Sequence, residues 1–254
     1  MNGKLKLTIY RILPLIAFLL LWEFALRGND RLIFYFGLPS RIWAYIVAKT
    51  ANGTLPRDIG VTMGEALAGF ILGNFLGTLT GLSLWFSNSL FRIAKPYIIA
   101  LGSAPIFALA PLMIIWFGTG LLSKIIMATL STVFVALFQA YTGAAEVDPT
   151  YLKLLKSMKA SKTQVFRKVI APSSVVWVLS AFKINVGFAL LGAFIGEYIS
   201  SSEGLGHLIL VASGLFDISL VLTGVLFLMI IAIGLSYLAG RLETPIKRWV
   251  SKSL

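Results

Sequence analysis

The sequence predicts an all-α integral membrane protein with about six transmembrane helices. Three observations lead there. Apolar residues make up 58% of the 254 residues and charged residues 13%, against roughly 45–50% and about 25% in a soluble domain. Long stretches carry no Asp, Glu, Lys or Arg, and about 20 such residues cross a hydrocarbon core. The chain has no cysteine and one histidine, His207. That composition removes disulfide frameworks, thiolate and multi-histidine metal sites and cysteine nucleophiles. The net charge of +12 accompanies such hydrophobicity as a determinant of membrane orientation, so no nucleic-acid partner is expected.

The first span, near residues 9–27, follows Lys4, Lys6 and Arg11 and contains Glu23. A secretory signal would end in a small-x-small cleavage site; residues 22–29 show none, so the span is expected to be retained. The second, 61–86, carries Gly69, Gly73, Gly77 and Gly81. Spacing of four sets them along one stripe of a helix. Glycine costs about 1 kcal/mol against alanine in a helix interior, and in lipid it lets two backbones approach closely. The stripe is expected to pack tightly within one subunit, or to form a subunit or moving interface.

The third span, 96–117, contains Pro105 and Pro111, each able to kink or break a helix. Broken backbone at membrane depth is tolerated against neighbouring protein or a water-filled path. Ser103, Pro105 and Pro111 are therefore pathway or gate candidates, with a structural kink as the alternative. The fourth span, 122–145, is followed after a basic connection by the fifth, 173–199. Here Lys183 lies about 16 Å of helix beyond Pro172. Lys183 and Asn185 are further pathway candidates, unless Lys183 snorkels to the inner interface. The sixth span is 217–240. Glu23, Glu65, Glu197 and Asp217 fall near the outer ends of spans and are expected to be interfacial. His207 sits in a Gly-rich outer connection and is expected to be exposed.

Most Lys and Arg lie in the N-terminal segment, the second–third and fourth–fifth connections and the tail (Arg241, Lys247, Arg248, Lys252). This predicts both termini inside, although Arg27, Arg31, Arg41, Lys49 and Arg57 in the first connection run against it.

Residues 146–172 are too patterned for a turn. Asp148-Pro149 reads as an N-cap followed by Pro at the first helical position. Tyr151, Leu154, Leu155 and Met158 follow at i, i+3, i+4 and i+7, forming one apolar face, and Lys153, Lys156 and Lys159 take the other side. Ser161 and Gln164 have the spacing of a capping box. Val165, Phe166, Val169 and Ile170 continue the apolar face, and Pro172 is expected to end the segment. Two short amphipathic helices thus join spans four and five, either resting on anionic lipid or docking a cytoplasmic protein.

The stretch Val147-Asp148-Pro149 through Ala160-Ser161-Lys162-Thr163-Gln164-Val165-Phe166-Arg167-Lys168-Val169-Ile170-Ala171-Pro172 resembles the cytoplasmic loop of ABC importer permease subunits of the nitrate, sulfonate, taurine and bicarbonate type. Leu38-Pro39-Ser40, Ala104-Pro105, Pro111-Leu112, Trp116-Phe117-Gly118, Gly196-Glu197 and Gly204-Leu205-Gly206 are similar to landmarks of the same family. The family's Glu-Ala-Ala falls on Lys153-Leu154-Leu155 and its Gly on Lys159. A lysine must therefore adopt the turn between the two helices, or shift it.

The resemblance implies a type I importer permease fold. It implies a second copy of the permease, two cytoplasmic ATPases using ATP-Mg, and an extracytoplasmic solute-binding protein, in a bacterial inner membrane. On that reading Tyr151, Lys153, Leu154, Leu155, Met158, Lys159, Ala160 and Ser161 dock the ATPase. The chain is organised as an N-terminal segment and first span (1–57), a transmembrane core (58–245) and a tail (246–254). It has no Gly-x-x-x-x-Gly-Lys-Ser/Thr motif, so no ATPase site, catalytic residue, cofactor or metal of its own is expected. The rivals are an ion-coupled secondary carrier or channel, which would favour mid-membrane acids, and an intramembrane enzyme, for which no Gly-x-Ser-x-Gly exists.

Overall fold

The computed structural model describes residues 3–253, with side chains described from 10 to 241. The side chains of Lys4, Lys6, Lys247, Arg248 and Lys252, and those of the expected 246–254 tail, lie outside that description. Every regular element among the described residues is helical. The order is α1 (Gly3–Leu26), α2 (Asp30–Phe36), α3 (Pro39–Ala51), α4 (Thr54–Leu84), α5 (Asn88–Ser103), α6 (Ile106–Phe117), α7 (Leu121–Ala145), α8 (Pro149–Ser157), α9 (Lys162–Val165), a π turn (Phe166–Ile170), α10 (Ala171–Ser200), α11 (Leu205–Gly214) and α12 (Ile218–Ser253). Among the described residues, α4, α7, the continuous Lys162–Ser200 helix and the Ile218–Arg241 part of α12 are long and apolar enough to cross a membrane. The pair α5 and α6 counts as a fifth crossing when taken as one broken span. α1 overlies the first expected span.

The core is a three-helix unit of α4, α7 and α10, and the glycine stripe explains its tightness. Gly69, Gly73, Gly77 and Gly81 are all buried. They meet a matching small-residue row on α7: Ala128, Thr132, Ala136 and Ala140. A Cβ added at Gly77 would overlap the Val133 carbonyl oxygen and stand 2.7 Å from the Ala136 Cβ. The neighbour of the stripe is thus a helix of the same chain. α10 closes on α7 as well: Gly192 and Gly196 of α10 approach Ala128 and Lys124, while Gly143 of α7 approaches Trp177. With lipid outside, such backbone proximity and interhelical polar bonds hold helices together where water exclusion cannot. Two such bonds from one side chain join all three helices. The Asn185 amide of α10 donates to Asn74 Oδ1 of α4 at 2.8 Å and to the Thr132 carbonyl of α7 at 3.1 Å.

Two prolines behave differently from expectation. The third span breaks at Ala104-Pro105, where α5 and α6 meet at 91°. Ala104 is extended, at ψ 129°, as the residue before a proline prefers. Pro111 causes no break and lies in the second turn of α6, where it removes a single donor. Pro172 does not end the 146–172 segment. It sits in the first turn of α10, and helix runs without interruption from Lys162 to Ser200. The π turn just before it makes this possible: the Ala171 N–H reaches back to Phe166, widening the backbone where a proline ring would otherwise crowd the preceding carbonyls. The second short helix is therefore the base of a span, and only α8 is a separate amphipathic helix.

Candidate functional site

The 146–172 connection starts from a built cap. The Asp148 carboxylate accepts from Thr150 N at 2.8 Å, which holds its pKa below the ordinary carboxylate value, and Pro149 opens α8. The helix divides its apolar residues between two directions. Leu152 and Leu155 turn to the bundle and pack with Ala144, Val147, Val169 and Ile170. Tyr151, Leu154 and Met158 stand out as a ridge, 42%, 57% and 69% exposed. Leu155, expected on the outer face, thus belongs to the seam that holds α8 in place. The inward role of Leu152 escaped the i, i+3, i+4 reading, because a nine-residue helix can offer apolar groups on two sides.

Lys159 takes the turn left open by the missing glycine, with φ 56°, the left-handed region that favours glycine. Ser161 follows with the capping box formed: its Oγ accepts from Gln164 N at 3.3 Å and Gln164 Oε1 accepts from Ser161 N at 2.7 Å. Lys153, Lys159 and Ser161 are exposed, and Ala160 is half-buried. Lys162 reaches the other way. Its Nζ donates to the Phe86 carbonyl just past the end of α4 and lies 5.6 Å from the Trp85 ring centroid and 5.9 Å from that of Phe86. Phe166 packs on both rings.

The pathway candidates separate. Ser103 ends α5, with its Oγ donating to the Ala100 carbonyl at 3.0 Å. It borders a groove of about 340 Å³ with Gly102, Phe134, Phe138 and Gln139. Pro105 and Pro111 are exposed beside the break. Lys183 is exposed on α10, and its Cε lies 3.9 Å from where a Gly240 Cβ would stand. Its side chain is thus level with the end of the membrane-length part of α12. Asn185 is fully buried, committed to the three-helix polar contact rather than to open space.

At the end of the bundle opposite α8, the structure assembles a polar clamp. Three consecutive backbone donors are captured: Gly204 N by Asp58 at 2.9 Å, Leu205 N by Thr62 Oγ1 at 2.9 Å and Gly206 N by Glu197 at 2.7 Å. Thr62 Oγ1 also donates to Glu197 at 2.7 Å. Gly204 and Gly206 are required here, because a Cβ at either would meet the Glu197 side chain. Glu65 and Glu197 are fully buried, not interfacial, and Lys124 is buried with its Nζ on the Thr119 and Gly120 carbonyls. Glu23 accepts from Ser40 N, and Asp217 accepts from Tyr45 Oη. That bond, with burial, raises the Tyr45 pKa. His207 lies in α11, half-buried, with Nδ1 enclosed. The missed signal was spacing: Glu65 stands four before Gly69, on the stripe that faces α7.

A broken span, a glycine-packed bundle and a short helix with an exposed ridge define a multi-pass transport subunit. Residues 73–252 match the family described as binding-protein-dependent transport system inner membrane component, and the chain belongs to that family. A probable ABC transporter permease of Haemophilus influenzae is 35% identical over 60% of this chain, which spans 62% of that relative. The formylaminopyrimidine transport permease ThiX of Halalkalibacterium halodurans is 31% identical over 76% of this chain and 78% of its own. The nitrate import permease NrtB of Synechococcus elongatus is 26% identical over 82% and 77%. An inward-facing structure of the MetNI methionine ABC transporter has the same fold, with a TM-score of 0.69 at 17% identity, over 78% of this chain and 98% of that one.

Proposed function

We propose that this permease subunit pairs with a second copy to form the pathway for a small solute. The candidates are nitrate, a sulfonate such as taurine, bicarbonate, or a related small anion or vitamin precursor. An extracytoplasmic binding protein delivers the solute, and two cytoplasmic ATPases bind below and supply the energy. Both termini lie inside, with α8 and the basic 146–172 segment on the cytoplasmic side and the clamp around Glu197 outside. The observation that carries the docking role is the ridge of Tyr151, Leu154 and Met158. It is apolar and exposed on a helix already anchored from behind by Leu152 and Leu155. Helix-in-groove recognition uses such a ridge. The broken span beside Ser103 and Pro105 gives the pathway its movable element. The ion-coupled rival gains little from Glu197, which already accepts from Gly206 N and Thr62 Oγ1.

Met158→Asp tests the reading. A charge inserted into an apolar groove costs several kcal/mol unless relieved. The expected result is a permease that inserts and purifies normally but no longer retains the co-expressed ATPase. Normal transport by this variant would refute the docking role. Leu155 is unsuited to the test, because its replacement also loosens α8 from the bundle.

A further inference from the structure

We propose that Glu65 and Glu197 bind one proton between them, and that this proton locks the polar clamp on the 204–206 backbone. Glu65 is 2% exposed and Glu197 0%, and their carboxyl groups meet between α4 and α10. Both oxygens of Glu197 already accept, Oε1 from Thr62 Oγ1 and Oε2 from Gly206 N. Glu65 Oε2 is buried with no donor in reach. Two ionised carboxylates in contact repel, and removal from water penalises the second charge further. A proton on Glu65 turns that repulsion into a hydrogen bond, because the neutral acid donates and the Glu197 carboxylate has acceptor capacity left.

Charge balance points the same way. The cation facing the pair is Lys124 of α7, buried with its Nζ on the Thr119 and Gly120 carbonyls. One carboxylate, one neutral acid and Lys124 sum to zero. Two carboxylates would leave a net negative charge inside the bundle, with Asp58 of α4 adding to it. Lys49 of α3, Glu203 and His207 of α11 act on Asp58, and Glu203 is paired with Arg57. Among the described residues no group of three His, Cys, Asp or Glu could hold a metal ion in the proton's place. Glu197 stands in the last turn of α10, away from the mid-membrane position that an ion-carrying acid favours, so the proton is held rather than carried.

The pair is wired to the clamp through the bonds it makes. Glu197 holds Gly206 N directly, and Thr62, which donates to Glu197, also accepts from Leu205 N. With the clamp closed the pair keeps its proton. Once the 204–206 backbone lifts away and water enters, both acids ionise at neutral pH. Opening therefore releases one proton and becomes easier as pH rises, by up to about tenfold per pH unit.

Hydrogen exchange of the Leu205 and Gly206 N–H groups reads that opening in the detergent-purified full chain, followed from about pH 6 to about pH 9. After correction for intrinsic exchange, wild-type protection should fall by up to about tenfold per pH unit. Glu65→Gln, whose neutral amide can still donate to Glu197, should stay protected with no such slope. Infrared difference spectra at neutral pH should show a protonated carboxyl in wild type that Glu65→Gln lacks. A flat wild-type profile, an equal slope in Glu65→Gln, or no protonated carboxyl at neutral pH overturns the proposal. His207→Gln removes the other group apt to titrate in this range and should keep the slope; its loss there assigns the titration to the histidine and overturns the proposal too. So does protection that follows the Na+ concentration at fixed pH, which puts a metal cation in the proton's place. If Glu65→Gln does not fold, wild type alone decides: the carboxyl band and the protection of Gly206 N–H must disappear over the same pH range.

Discussion

Replacing Gly77 with alanine tests the three-helix core at its tightest point. The added Cβ would overlap the Val133 carbonyl oxygen and lie 2.7 Å from Ala136 Cβ and 2.9 Å from Leu137 N. Two of those three atoms are backbone, so no side-chain rotation relieves the contact and α4 must move away from α7. Overpacking of this kind costs about 1–3 kcal/mol, roughly 2–4 °C in melting temperature per kcal/mol for a chain of this size. The same helix supplies its own control. A Cβ at Gly64 meets nothing within 4 Å, so Gly64→Ala should gain up to about 1 kcal/mol of helix propensity. The two alanines are therefore expected to shift thermal unfolding of the detergent-purified protein in opposite directions. Equal shifts, or a more stable Gly77→Ala, would refute the close α4–α7 packing.

Three further outcomes follow from local geometry. Lys162→Met keeps the stem but removes the bond to the Phe86 carbonyl and the cation–π contacts, which are worth about 0.5–1 kcal/mol at exposed sites. ATPase association should persist while stimulation by loaded binding protein falls, with Lys162→Arg restoring part of it. Glu197→Ala leaves Thr62 Oγ1 and Gly206 N without their acceptor, at about 1–3 kcal/mol for each buried group. Limited proteolysis should then cut near 201–206 at lower protease than in wild type. The lowered pKa of Asp148 means its cap stabilises α8 at neutral pH and is lost as pH falls through that lowered value. Hydrogen exchange in α8 should therefore accelerate in acid relative to Asp148→Asn, which keeps a neutral cap.

What the sequence made legible was whatever repeats along a helix or caps its end. The four-residue glycine spacing names a face, and α7 supplies the matching small residues that the face requires. The Asp148 and Ser161 caps sit where side-chain oxygens can meet orphan N–H groups, and both are formed. The failures share one cause: a decision made between helices rather than along one. Pro111 and Pro172 carry the same ring as Pro105, yet only Pro105 stands at a break; the π turn before Pro172 depends on backbone geometry that no residue spelling announces. Glu65 and Glu197 look like interfacial acids when each span is read alone. Glu197 is buried where donors from other segments converge on one corner: Gly206 N directly, and Leu205 N through Thr62, which itself donates to Glu197. Periodicity could still have placed Glu65, since 65, 69, 73, 77 and 81 form a single row. A charged residue that continues a close-packed glycine stripe faces the neighbouring helix, not the lipid. In an unfamiliar span, that row is the place to look first for a buried acid.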